Sequence, residues 1–215
     1  MTLSDQDLTE RGLAPKGGKR VLVLACGALA HEILAVIRAN GLSHLDLQCL
    51  PAILHNHPER ITPAVRKAVS DARDRGYDDV FLAYADCGTG GQLQAAATAL
   101  GVHMIAGPHC YAFFEGTDGF VRRDEDEFTA FYLTDFLVRQ FDAFVWEPLG
   151  LDRHPELRDT YFGHYEKLVY QAQTDDPDLT EKARDCADRL GLSFERRFTG
   201  YGDLERAITD FGSGV

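Results

Sequence analysis

The chain has 215 residues, 45% hydrophobic and 26% charged, the balance of an ordinary globular protein with a sizeable core. Its formal charge of −12 at pH 7 repels phosphate backbones and anionic membrane surfaces, which sets both aside as main partners. No apolar run approaches the ~20 residues of a membrane span, and the acidic start M-T-L-S-D-Q-D-L-T-E lacks the cationic-then-apolar pattern of an export signal, so a cytoplasmic location is expected.

Residues 1–18 are polar, close on Pro15-Lys16-Gly17-Gly18, and are read as a leader. Residues 19–215 are read as one α/β domain. Arg20 opens V-L-V-L-A-C-G, an apolar strand ending at Cys26, followed by a helix over about 28–39 that Gly41 stops. Residues 45–54 predict a second strand ending on His55-Asn56-His57-Pro58. Thr62-Pro63 predicts the start of a helix to about Arg75, with proline at the first helical position. The third strand is V-F-L-A-Y-A (80–85), which stops on Asp86 and Cys87, and Gly88, Gly90 and Gly91 lead into a helix over 92–100. Val102 to Ala106 is strand four, ending on Gly107-Pro108-His109-Cys110.

Beyond it, 118–127 is charged and loop-like. Residues 128–144 and 154–173 predict long helices, the latter with Tyr161, Phe162, Tyr165 and Tyr170 as an aromatic face on the sheet. A helix from Thr180 to Leu190, capped by Thr180 and stopped by Gly191, a strand over 192–198 and a short helix from Asp203 complete the chain. Strand–helix units in series specify a single domain with a mostly parallel central sheet of about five strands flanked by helices, Rossmann-like in class.

In a parallel sheet all carboxyl ends lie on one edge, where α/β proteins place ligands. That edge collects Cys26, His55, Asp86, Cys87, His109 and Cys110. Five cysteines, odd in number and widely spaced, do not form a disulfide framework. Three thiols and an imidazole instead suit a tetrahedral zinc site, with Cys26, Cys87 and Cys110 as ligands and His55 or His109 as the fourth. Glu32, about one turn into the first helix, and Asp86 are the candidate catalytic or proton-carrying carboxylates. Asp86 also suits the plainer task of capping the turn after its strand. Gly27, Gly88, Gly90 and Gly91 are the backbone positions for cofactor contact, although the glycine cluster lacks the lysine of a phosphate loop. Cys49 falls mid-strand and Cys186 mid-helix, and both are assigned to the core. No G-x-S-x-G elbow supports serine hydrolysis.

C-G-A-L-A-H-E (26–32), L-H-N-H-P (54–58), Y-A-D-C-G (84–88) and H-C-Y-A-F-F-E-G (109–116), continuing through E-K-L-V-Y (166–170), resemble in order and spacing the domain of unknown function 1638 family over roughly residues 20 to 210. The resemblance carries Cys26, Glu32, His55, Cys87 and Cys110 as family-type polar positions. Phe136 stands where the family pattern has a tryptophan near Tyr132-Leu133-Thr134. Family members are described beside corrinoid-dependent methyltransferase genes, so the resemblance implies one-carbon metabolism and corrinoid methyltransferase proteins as partners. Three functions stand side by side: a zinc–thiolate enzyme or accessory factor acting on a small molecule, a folate- or corrinoid-binding module without metal, and an iron–sulfur or thiol redox protein.

Overall fold

Strand β1 (Val21–Cys26) is buried at every position, as a strand covered on both faces must be. In the computed structural model, which describes residues 3–16, 21–116 and 128–214, it lies inside a four-stranded parallel sheet of order β2-β1-β3-β4. Its partners are β2 (Leu45–Leu50) on one side and β3 (Asp79–Ala83) on the other, with Ala25 opposite both Cys49 and Ala83. The short β4 (His103–Met104) follows β3. The charged stretch 118–127 lies outside the described residues.

The chain divides into two compact units, Met1–Phe113 with Tyr201–Val215, and Phe114–Gly200. The α/β class with parallel sheets and flanking helices holds. The strands, however, form two sheets rather than one central sheet, and the second has the order β5-β6-β7.

In the first unit, the expected leader carries structure. Helix α1 (Asp5–Glu10) buries Leu8, and Leu13 exchanges two backbone hydrogen bonds of 2.8 Å with Cys49 at the outer side of β2. A 3-10 turn (Gly27–Leu29) leads from β1 into α2 (Ala30–Ala39). Gly27 permits this close packing, because a Cβ there would collide with the Leu8 carbonyl. Strand β2 stops at Leu50, four residues before the expected end, because Pro51 opens a 3-10 turn (Ala52–Asn56) that carries His55. Helix α3 (Pro58–Asp74) uses Pro58, not Pro63, as its first-turn proline, and Pro63 lies inside it. Helix α4 (Gln92–Leu100) matches its predicted range. The short α5 (Ala112–Glu115) spans the division between the units.

In the second unit, the two long helices give way to strands. β5 (Ala130–Thr134) runs without a loop into α6 (Asp135–Arg139), with Thr134 Oγ1 accepting from Leu137 N as the cap, and a π-helical turn (Asp142–Trp146) follows. After a 3-10 turn (Pro155–Leu157) and α7 (Arg158–Phe162), β6 (Lys167–Ala172) takes the middle of the sheet. Helix α8 (Pro177–Leu190) is capped by Asp176, four residues before the predicted Thr180 and better placed, since its carboxylate accepts from both Asp178 N and Leu179 N. β7 (Ser193–Phe198) closes the unit, and α9 (Gly202–Ser213) belongs to the first. Leu168, Tyr170 and Ala172 of β6 pack with Ala183, Cys186 and Leu190 of α8 in a core to which Trp146 is added from its edge. The Arg189 guanidinium lies 4.2 Å over the Trp146 ring.

Candidate functional site

In the order β2-β1-β3-β4 the chain leaves β1 for β2 on one side and returns to β3 on the other. The carboxyl ends of β1 and β3 therefore flank the crevice where such sheets bind ligands. Cys26 ends β1, and Cys87 follows β3 by four residues. After Ala83 the chain keeps pairing beyond β4, Asp86 N donating to Gly107 O and Cys87 N to Pro108 O at 3.0 Å. This pairing draws the 107–110 loop alongside and brings Cys110 Sγ to 3.2 Å from Cys87 Sγ.

Cys87 adopts φ 47°, the one positive value among the described residues other than glycine. A side chain in that region is held against its backbone preference, a feature that concentrates at functional sites. The hydrogen bond from Cys110 is the main cause that holds the Cys87 thiol below its usual pKa of 9.0, against the raising effect of burial. Cys110, as the donor, is pushed up. Of the pair, one thiol loses its proton more readily than an ordinary cysteine and the other holds its proton, the arrangement S–H···S⁻. Burial pushes Cys26 up to about 12.

Other predicted residues sort themselves by contact. The Asp86 carboxylate accepts from Thr89 Oγ1 (2.8 Å), Gly90 N (3.1 Å) and Gly91 N (2.7 Å). Against the raising effect of its surroundings, these bonds hold its carboxyl below the usual range. The amides of Gly90 and Gly91, assigned to a cofactor by sequence, are thus spent on a side chain of the same loop, and Asp86 has the capping task. Glu32 is buried in the first turn of α2, within electrostatic reach of Cys49. His55 stands exposed on its 3-10 turn, and desolvation followed by the charge of His109 keeps its pKa low. The His109 ring stacks on Tyr111 with centroids 5.1 Å apart, and burial lowers its pKa too, with Asp86 opposing. Among the described residues, no three His, Cys, Asp or Glu side chains are grouped closely enough to hold a metal ion. Cys49 and Cys186 are buried, Cys49 within electrostatic reach of Cys26.

Sequence reasoning missed Tyr84. It is 2% exposed, and its hydroxyl lies within electrostatic reach of Cys26, Cys110, Cys49 and Cys87. The available signal was a phenol, a polar tip, inside an otherwise apolar strand three residues before Cys87.

Fold and site together define an α/β protein with a thiol cluster at the switch point of a parallel sheet. A model described as "Protein of unknown function (DUF1638)" matches residues 49–208, most of the chain, and the protein belongs to that family. No curated protein and no solved structure matches it. Among the described residues no helix is long and apolar enough to cross a membrane.

Proposed function

We propose that the first unit carries a thiolate centre for a soft metal ion, zinc in the first place, seated on Cys87 and Cys110. One observation carries this reading, the 3.2 Å between their sulfurs. Two thiolates bound to one zinc at ~2.3 Å and near the tetrahedral angle stand about 3.8 Å apart. A disulfide needs ~2.05 Å. The pair is therefore closer to a chelating separation than to a covalent one. The donors fit the metal in softness and number for two positions, and a third and fourth ligand must move in from Cys26, His55, His109 or the substrate. Bound zinc supplies Lewis acidity and holds a thiol substrate as thiolate at neutral pH. In the one-carbon setting that the family resemblance suggests, that thiol is a methyl acceptor and a corrinoid protein the donor. The chain's own part, before an ion binds, is to lower the pKa of the Cys87 thiol through Cys110 and to fix it on a left-handed turn braced by Asp86.

A second reading has the lowered pKa of Cys87 behind it: thiol–disulfide exchange, in which the Cys87 thiolate attacks a disulfide oxidant, forming a mixed disulfide and releasing one thiol, and Cys110 then attacks Cys87 Sγ, displacing the oxidant's second thiol and closing a Cys87–Cys110 disulfide. Metal analysis after anaerobic purification separates the two. Zinc lost in Cys87→Ala and Cys110→Ala supports the centre, iron with sulfide redirects it to a cluster, and metal-free protein with an oxidisable pair supports exchange.

A further inference from the structure

Helix α1 lies across the ligand edge of the first sheet. It packs on the two 3-10 turns that follow β1 and β2, Gly27–Leu29 and Ala52–Asn56. Leu8 is fully buried there, and its carbonyl enters the space that a side chain on Gly27 would take, a notch also bordered by the Leu50 carbonyl and the Ala52 amide. In sheets of this class, glycine in the turn after the first strand lets a ligand approach the backbone closely. Here the chain's own carbonyl makes that approach, at the residue next to Cys26.

The grip of α1 is modest beside that of the sheet. A helix of six residues is marginal alone in water and keeps its shape by docking. Its buried residues are Leu8 and Thr9, and Asp5 Oδ1 pairs with His31 Nε2 of α2 at 2.9 Å. By contrast, all six residues of β1 are buried between two paired strands. Past the helix, Gly12 takes φ 76°, which glycine adopts freely, and Leu13 is fastened to Cys49 by its two backbone bonds. The segment thus has a fastened end, a pivot and a short docked arm, and units of that kind open at lower cost than the core they cover. We propose that α1 is a gating strap, which swings away about Gly12 while β1 stays paired and so uncovers the Gly27 notch and Cys26 to small molecules. The strap works on the β1–β2 side of the edge and needs no particular chemistry at the Cys87–Cys110 pair.

The test is amide hydrogen exchange read by NMR, with iodoacetamide labelling of Cys26, on the full chain at one pH and at guanidinium concentrations below the unfolding transition. The amides of Leu8 and Gly12, bonded to Ser4 O and Asp7 O, should exchange faster than those of Val23 and Leu24 in β1. Their rates, and the labelling of Cys26, should hardly change with guanidinium, the signature of an opening that exposes little surface. Leu8→Ala should speed both about tenfold or more. Asp5→Ala, which leaves the core whole, should speed both about two- to fivefold. Exchange of Leu8 and Gly12 that rises with guanidinium in step with Val23 overturns the strap, because α1 then opens only with the sheet. Cys26 labelling that follows Val23 while α1 exchanges freely overturns the gate. If Leu8→Ala fails to fold, the wild-type comparison and Asp5→Ala decide, and Asp5→Ala rates equal to those of the wild type count against the strap.

Discussion

Cys87 combines three properties that a buried structural cysteine does not need: a left-handed backbone, a sulfur 3.2 Å from a second thiol, and a lowered pKa. The sign of that shift fixes its pH dependence. Alkylation tracks the thiolate, so the Cys87 rate should rise to its plateau with a midpoint below the usual 9.0, while Cys186, pushed up to about 11 by burial, should stay slow. Cys110→Ala removes the donor and should move the Cys87 midpoint upward, read by peptide-resolved alkylation across pH. An unmoved midpoint would show that Cys110 does not hold the thiolate. Asp135 in the second unit is a structural counterpart. Its buried carboxylate accepts from Tyr170 Oη (2.7 Å), Gln173 N (3.0 Å), and Thr174 N (3.1 Å) and Oγ1 (2.6 Å). Asp135→Ala strands these donors and should cost about 3 kcal/mol or more in denaturant unfolding.

At the scale of elements, caps and close approaches decide boundaries. Asp176→Ala should remove about 1 kcal/mol by taking two amide bonds from the first turn of α8, whereas Thr180→Ala, at the predicted cap, should cost less. Gly27→Ala drives a methyl into the Leu8 carbonyl, so α1 must shift, and a loss of about 1–3 kcal/mol should accompany faster amide exchange in residues 5–10. The first unit was legible because glycine, proline and strand-end polar residues punctuate it. V-L-V-L-A-C and V-F-L-A are short apolar runs with clear stops, and α4 is bracketed by Gly91 and Gly101. In the second unit the punctuation is sparser and misled in two places. Thr134 is at once the last residue of β5 and the cap of α6, so strand and helix merge in one apolar stretch of helical length. Tyr161, Phe162 and Tyr165 follow helical spacing, but Gly163 and His164 break the run and Lys167–Ala172 pairs on both sides as a central strand. Local pattern cannot report that pairing.

Across the whole molecule, the order of the first sheet does what no single residue does. A sequence lists strand ends but not neighbours, and only the order β2-β1-β3-β4 sets the ends of β1 and β3 side by side at the switch point of the sheet. The strand-end rule singled out Cys26, Cys87 and Cys110 as candidates, and of these the 3.2 Å sulfur contact joins Cys87 and Cys110. It could not show that the Cys87–Cys110 pair forms through backbone pairing beyond β4, or that a phenol lies among the thiols. The family assignment agrees with the motif blocks over residues 49–208, and the chemistry rests on the thiol pair. The most direct measurement is metal content by mass spectrometry on protein purified without oxygen, for the wild type and for Cys87→Ala, Cys110→Ala and Cys186→Ala. The account predicts about one zinc per chain in the wild type and Cys186→Ala, with almost none in the other two and a melting temperature that a chelator lowers only where zinc is present. Metal-free wild type, or equal zinc in wild type and Cys87→Ala, would contradict it.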